Sequence, residues 1–111
     1  MNARKQSQFE ERARIIKAMA HPSRLFIVDE LARGERCVCE ITALVGADIS
    51  TVSKHLSILK KAGIVADRKE GLMVYYRLKT PCIMQFFGCV ESVQKANGGG
   101  RRAACCARGG R

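Results

Sequence analysis

The chain has no apolar run long enough to cross a bilayer, so a membrane-spanning helix is excluded. Residues 1–8 are polar and basic with no apolar segment behind them, so they do not read as a secretion signal. The expectation is a cytoplasmic protein without a membrane partner. Histidine is scarce, with two in 111 residues, and the six cysteines include no C-x-x-C spacing. A Cys/His zinc finger is therefore unsupported, and a disulfide framework is not expected in a reducing compartment. No nucleophile stands beside a base, no Gly-rich phosphate loop occurs and no carboxylate pair stands out, so the chain does not read as an enzyme and requires no cofactor.

What is present is positive charge, and its placement matters more than its total of +10. Residues 1–48 hold eight Lys and Arg against seven Asp and Glu, whereas residues 49–79 hold seven against two. Residues 80–97 balance, and residues 98–111 carry four Arg and no acid. This concentration favours a polyanion, most simply nucleic acid. A membrane surface fits less well, because the basic segment has no wide apolar face beyond the one its own core uses.

The richest stretch is residues 48–63, D-I-S-T-V-S-K-H-L-S-I-L-K-K-A-G. Ile49, Val52, Leu56 and Leu59 recur at helical spacing. The opposite face presents Ser50, Ser53, Lys54, Ser57 and Lys61 with no carboxylate, which suits phosphates and base edges. Taken alone it is equally a solvated helix face. Gly63 falls where a helix end needs a left-handed residue.

Residues 8–20 read as a first helix with Phe9, Ala13, Ile16 and Ala20 on one stripe and Ile15 and Met19 on a second. His21-Pro22 breaks it and starts another, with Leu25, Val28, Leu31 and Ala32 inward. A short helix over residues 38–45 follows. Cys37, with Glu40 three positions on, resembles its start. Two helices joined by a tight Gly-containing connection make a helix-turn-helix. Residues 73–78 then alternate in strand fashion, and Glu70-Gly71 marks a hairpin turn. Arg68 and Lys69 lie just before it, so this basic hairpin reads as a wing reaching the DNA backbone. Thr80-Pro81 opens a last helix with Ile83, Phe86, Phe87 and Val90 as its stripe.

The expected fold is mainly α (α+β): a winged helix-turn-helix of five helices with a two-stranded β-hairpin wing. The surplus apolar surface on the first and last helices predicts a homodimer through them, presenting two reading helices to a near-palindromic duplex. Residues 1–97 form the folded domain and residues 98–111 a flexible Gly/Arg/Cys tail.

Among candidate DNA contacts, Ser50, Thr51, Ser53 and Lys54 point outward on the reading helix, and Arg68 and Lys69 lie on the wing. His55 flanks the apolar stripe, and contact with phosphate and capping of the core stand level for it. Cys37 and Cys39 are two apart and cannot share a face inside a helix, so gripping one ion requires them at or before a helix start. The bland alternative is two small buried hydrophobes. Arg36 and the helix start are expected to lower their thiol pKa. Cys105 and Cys106 lie eight residues past the last helix, a reach of up to about 26 Å, and are candidates for a further thiolate. Cys82 and Cys89, about 10 Å apart along one helix, read as packing positions at the dimer seam.

Residues 18–25, A-M-A-H-P-S-R-L, residues 34–41, G-E-R-C-V-C-E-I, and residues 50–65, S-T-V-S-K-H-L-S-I-L-K-K-A-G-I-V, carry a resemblance. With the V-Y-Y-R-L hairpin behind them, they resemble the ArsR family of bacterial winged-helix repressors over residues 8–95. The resemblance implies a homodimer that releases operator DNA when an inducer binds. It also implies that Cys37 and Cys39 are ligands for trivalent arsenic or antimony, with cadmium or lead and a redox or persulfide response as alternatives. In the arsenite-responsive pattern C-V-C-D-L-C a third Cys follows, where this chain has Thr42. Trivalent arsenic takes three thiolates, so that site is one short.

Overall fold

The computed structural model describes residues 1–99. The elements run α1 (Ala3–Met19), α2 (Pro22–Leu31), β1 (Arg36–Cys37), α3 (Val38–Val45), α4 (Ile49–Lys61), β2 (Val65–Glu70), β3 (Met73–Leu78) and α5 (Ile83–Gly99). Five helices and a hairpin are the expected set, joined by one short strand that periodicity did not disclose. The chain divides into residues 1–80 and a second unit that begins at Pro81 and contains α5.

Helix α1 starts five residues earlier than its apolar pattern. Asn2 caps it, its side chain accepting from the Lys5 backbone N–H at 2.8 Å. The helix stops before His21-Pro22, because the residue preceding a proline is pushed out of the helical region. His21 then caps α2: its Nδ1 accepts from the Ser23 N–H at 3.1 Å, and Pro22 takes the first turn. The inner face of α2 is Ile27, Val28 and Leu31. Leu25, expected inward, is exposed, as is Ala32.

Gly46 closes α3 with φ 77°, and Gly63 follows α4 with φ 86°. Both are left-handed positions that a side chain would strain. On α4, Val52, Leu56 and Leu59 are fully buried, whereas Ile49, expected on the same stripe, is exposed. With Ile27, Val28, Leu31, Ile41, Ile64 and Val65 they form the core of residues 1–80. Each such aliphatic contributes about 1.5–3 kcal/mol on burial. The reading helix is thereby held by its back, which leaves its front free.

The sheet is antiparallel in the order β1-β3-β2. Val65 opposes Leu78 and Glu70 opposes Met73, closing the hairpin over Gly71 and Leu72. Strand β1 adds two pairs, Arg36 to Tyr76 and Cys37 to Tyr75. It ties the segment before α3 to the wing.

In the second unit, a turn at Pro81 and Cys82 precedes α5, which begins two residues later than Thr80-Pro81 suggested. Phe86, Val90 and Val93 are exposed along it. No helix of the described residues is long and apolar enough to cross a membrane. The expected tail, apart from Gly98 and Gly99, lies outside the described residues.

Candidate nucleic-acid interface and thiol pair

The tip of α4 is built by Asp48. Its carboxylate accepts from the Thr51 hydroxyl at 2.6 Å and from the Ser50 hydroxyl. These two bonds hold its pKa down to about 2. Ser50 and Thr51 therefore spend their hydroxyl hydrogens on the cap, and toward a base edge they offer oxygen lone pairs. Ser53 and Lys54 are exposed one turn on and enter no ion pair or side-chain hydrogen bond among the described residues. A groove of about 310 Å³ is lined by Arg14, Lys17, Arg24 and Lys61 together with Ala18, Ile58 and Ala62. Arg14, Lys17 and Arg24 are basic groups that the reading-helix pattern did not include, because they come from α1 and α2.

His55 points into the core and is 9 % exposed. Its Nδ1 accepts from Arg24 Nε at 3.2 Å, and its ring lies 4.6 Å from that of His21. Arg24 also donates to the Ala18 carbonyl at 3.1 Å. One ring nitrogen of His55 is thus taken by Arg24, and most of the ring packs against the core. Burial, followed by the charges of His21, Arg24 and Lys54, pushes its pKa below the usual 6.5. A histidine held neutral in the folded state makes the unfolded state bind more protons as pH drops below 6.5. Folding stability should accordingly decline as pH is lowered from 7 toward 5, and His55→Gln should flatten that decline in urea melts at each pH.

On the wing, Arg68 and Lys69 part company. Arg68 donates to both carboxylate oxygens of Glu35, at 2.9 and 2.8 Å, and to Glu70 at 2.6 Å. Its guanidinium carbon lies 4.6 Å from the centroid of the Tyr75 ring. The expected phosphate contact of Arg68 would require its guanidinium to leave these two carboxylates. Lys69 is exposed and enters no ion pair among the described residues.

Cys37 ends β1 and is the N-cap of α3, with extended backbone (φ −81°, ψ 160°). Its N–H donates to Glu40 Oε1 at 3.0 Å, the helix-start arrangement read from their spacing. The change of backbone at this cap lets residues two apart turn toward each other. The sulfur atoms of Cys37 and Cys39 are in direct contact, 2.7 Å apart. Cys37 is buried and Cys39 exposed. The Cys39 thiol pKa is raised, first by the hydrogen bond to Cys37, then by burial and by charge on Cys37. The expected lowering therefore does not hold for Cys39, and Arg36 is turned toward Glu30, at 3.9 Å. Thr42, at the place of a third sulfur, donates its hydroxyl to the Val38 carbonyl at 2.8 Å. No group of three or more metal-ligating side chains occurs among the described residues. Cys37 and Cys39 are thus two thiols that the start of α3 brings together. Cys105 and Cys106 lie outside the described residues. Cys82 and Cys89 are exposed in the second unit.

A helix-turn-helix with an exposed hydroxyl and ammonium face, followed by a basic hairpin, defines a winged-helix DNA-binding regulator. The family model described as "Bacterial regulatory protein, arsR family" matches residues 21–67. The chain is 39% identical over 90 residues to the HTH-type transcriptional regulator Rv0324 of Mycobacterium tuberculosis, covering 81% of this chain and 40% of that protein. It is 38% identical over 74 residues to the cadmium resistance transcriptional regulatory protein CadC homolog of Staphylococcus aureus, covering 66% of this chain and 61% of that one. Its structure is similar to the homodimeric winged helix-turn-helix DNA-binding domain Mb0332 from Mycobacterium bovis. The TM-score is 0.75 at 36% identity, with 87% of this chain and 90% of that domain covered. The chain belongs to the ArsR family of transcriptional regulators.

Proposed function

We propose that the protein is a homodimeric repressor that lets go of its operator when Cys37 and Cys39 bind trivalent arsenic or antimony as thiolates. The observation that carries this reading is the meeting of two sulfurs at the N-cap of α3, the helix that leads into the reading helix α4. A ligand that redraws the first turn of α3 acts on the mount of α4. Exposed Phe9 and Ile16 on α1, and Phe86, Val90 and Val93 on α5, supply the surplus apolar surface that a second copy would cover. The homodimeric description of the Mb0332 domain supports the same assembly. The partner is double-stranded, near-palindromic operator DNA in the cytoplasm. Ser50, Thr51, Ser53, Lys54 and Lys69 are its contacts, and Cys105 or Cys106 supplies the third thiolate.

A second reading keeps the machinery and changes the ion to cadmium or lead. The name of the cadmium resistance relative favours it, and two thiolates suit those soft cations equally. The test is release of labelled operator by the full chain in reducing buffer with arsenite, with cadmium, and in a third arm with oxidant alone. Release by arsenite at stoichiometric amounts is expected. Release by cadmium alone moves the protein to the second reading, and release by oxidant alone overturns both.

A further inference from the structure

The thiol segment and the wing are joined across the sheet by one row of residues. Cys37 on β1 opposes Tyr75 on β3, and Tyr75 opposes Arg68 on β2. Directly opposed residues of an antiparallel sheet share a face. The Arg68 guanidinium lies over the Tyr75 ring on that face. It then reaches past β3 to grip both oxygens of Glu35, two residues before Cys37. The three residues from Glu35 to Cys37 therefore hold the first sulfur, the cap of α3 and the carboxylate that secures the wing.

We infer that Glu35 and Arg68 are positioning residues that form a latch, through which ligand binding at the sulfur pair releases the wing. The inference rests on the proposed role of Cys37 and Cys39. When an ion enters between the sulfurs of Cys37 and Cys39, they part from their 2.7 Å contact, the segment that carries Cys37 moves, and Glu35 lies on that segment. A bidentate pair has a narrow geometry and breaks on a small displacement. With the latch open, Arg68 keeps only Glu70, and β2 loses its tether to the segment before α3. The hairpin then lies differently on the operator backbone. A repressor couples its two sites only through contacts that differ between its two states. The latch is such a contact, because it joins the ligand-bearing strand to the DNA-bearing hairpin and belongs to neither site.

The test compares the full-length wild type with Glu35→Gln and with the exchanged pair Glu35→Arg/Arg68→Glu, using cadmium ion as the probe. Thiolate-to-cadmium absorbance reports loading independently of DNA. Operator affinity is measured for each protein with and without the ion. The added positive charge of Glu35→Gln acts on both states alike and cancels in the ratio. Glu35→Gln should load cadmium as the wild type does. Its loss of operator affinity on loading should be about two- to fivefold smaller, the size expected for removing one exposed bidentate pair. The exchanged pair should recover part of that difference. A readout without DNA is the Arg68 Nε–H resonance, which should move on loading toward its position in Glu35→Gln. An unchanged affinity ratio in loaded Glu35→Gln, or an unmoved resonance, overturns the latch. A loaded wild type that keeps its operator overturns the reading of the sulfur pair itself, a separate outcome.

Discussion

Cys37→Ser should repress and fail to respond. Serine is a good helix cap, so the start of α3 survives the exchange and the mount of α4 stays in place. One of two sulfurs is lost, however, and a hydroxyl does not replace a thiolate for a soft ion. Losing a direct ligand should cost on the order of a hundredfold or more in ion affinity, since even supporting residues cost ten- to a hundredfold. Operator affinity without the ion should stay within about threefold of the wild type, the spread left when a good cap replaces another. Fluorescence anisotropy of labelled operator, with arsenite and then cadmium titrated in, measures both quantities. Retained release would remove Cys37 from the site. Lost DNA binding in the absence of any ion would make it a structural residue of the helix start.

The second large effect is the dependence on salt. If the dimer neutralises six to ten phosphates, operator affinity should drop by about 10³–10⁵ between 50 and 200 mM monovalent salt, because each contact releases a condensed counterion. The two wing cations should separate here. Lys69→Ala should lower the slope of log affinity against log salt by about one unit per subunit. Arg68→Ala should leave that slope unchanged, because two carboxylates already neutralise it. Equal slope changes in the two variants would mean that Arg68 abandons Glu35 and Glu70 on DNA.

Much of this architecture is visible in residue spacing. The apolar period of residues 49–59 places α4, the alternation at residues 73–78 places β3, and Glu40 three positions after Cys37 marks a helix start. Where spacing is silent, expectation fails in understandable ways. The first turn of α1 is polar, so nothing apolar announced it, and the cap at Asn2 marks its start. Strand β1 has two residues, too few to display a period. Leu25 and Ile49 sit on plausible stripes yet are exposed, because a stripe can be wider than the face that packs.

The site was legible in its parts and not in their connections. Cys37, Cys39, Arg68 and Lys69 are conspicuous by type. The bond from Arg68 to Glu35 spans 33 positions and depends on the register of three strands, which composition does not encode. Asp48 carries no signal in the apolar spacing, yet it holds the hydroxyls of Ser50 and Thr51. His55 could not be assigned until Arg24 was placed beside it.

Helix α3 is eight residues long, only about two turns. A peptide of that length has no helical stability of its own in water, so it persists through what grips its two ends and through Ile41 underneath. The grip at one end is Cys37. Under the proposed reading, a thiophilic ion seated there would contend for half of a structure that has nothing in reserve, and so a single small ion would outweigh a whole array of phosphate contacts.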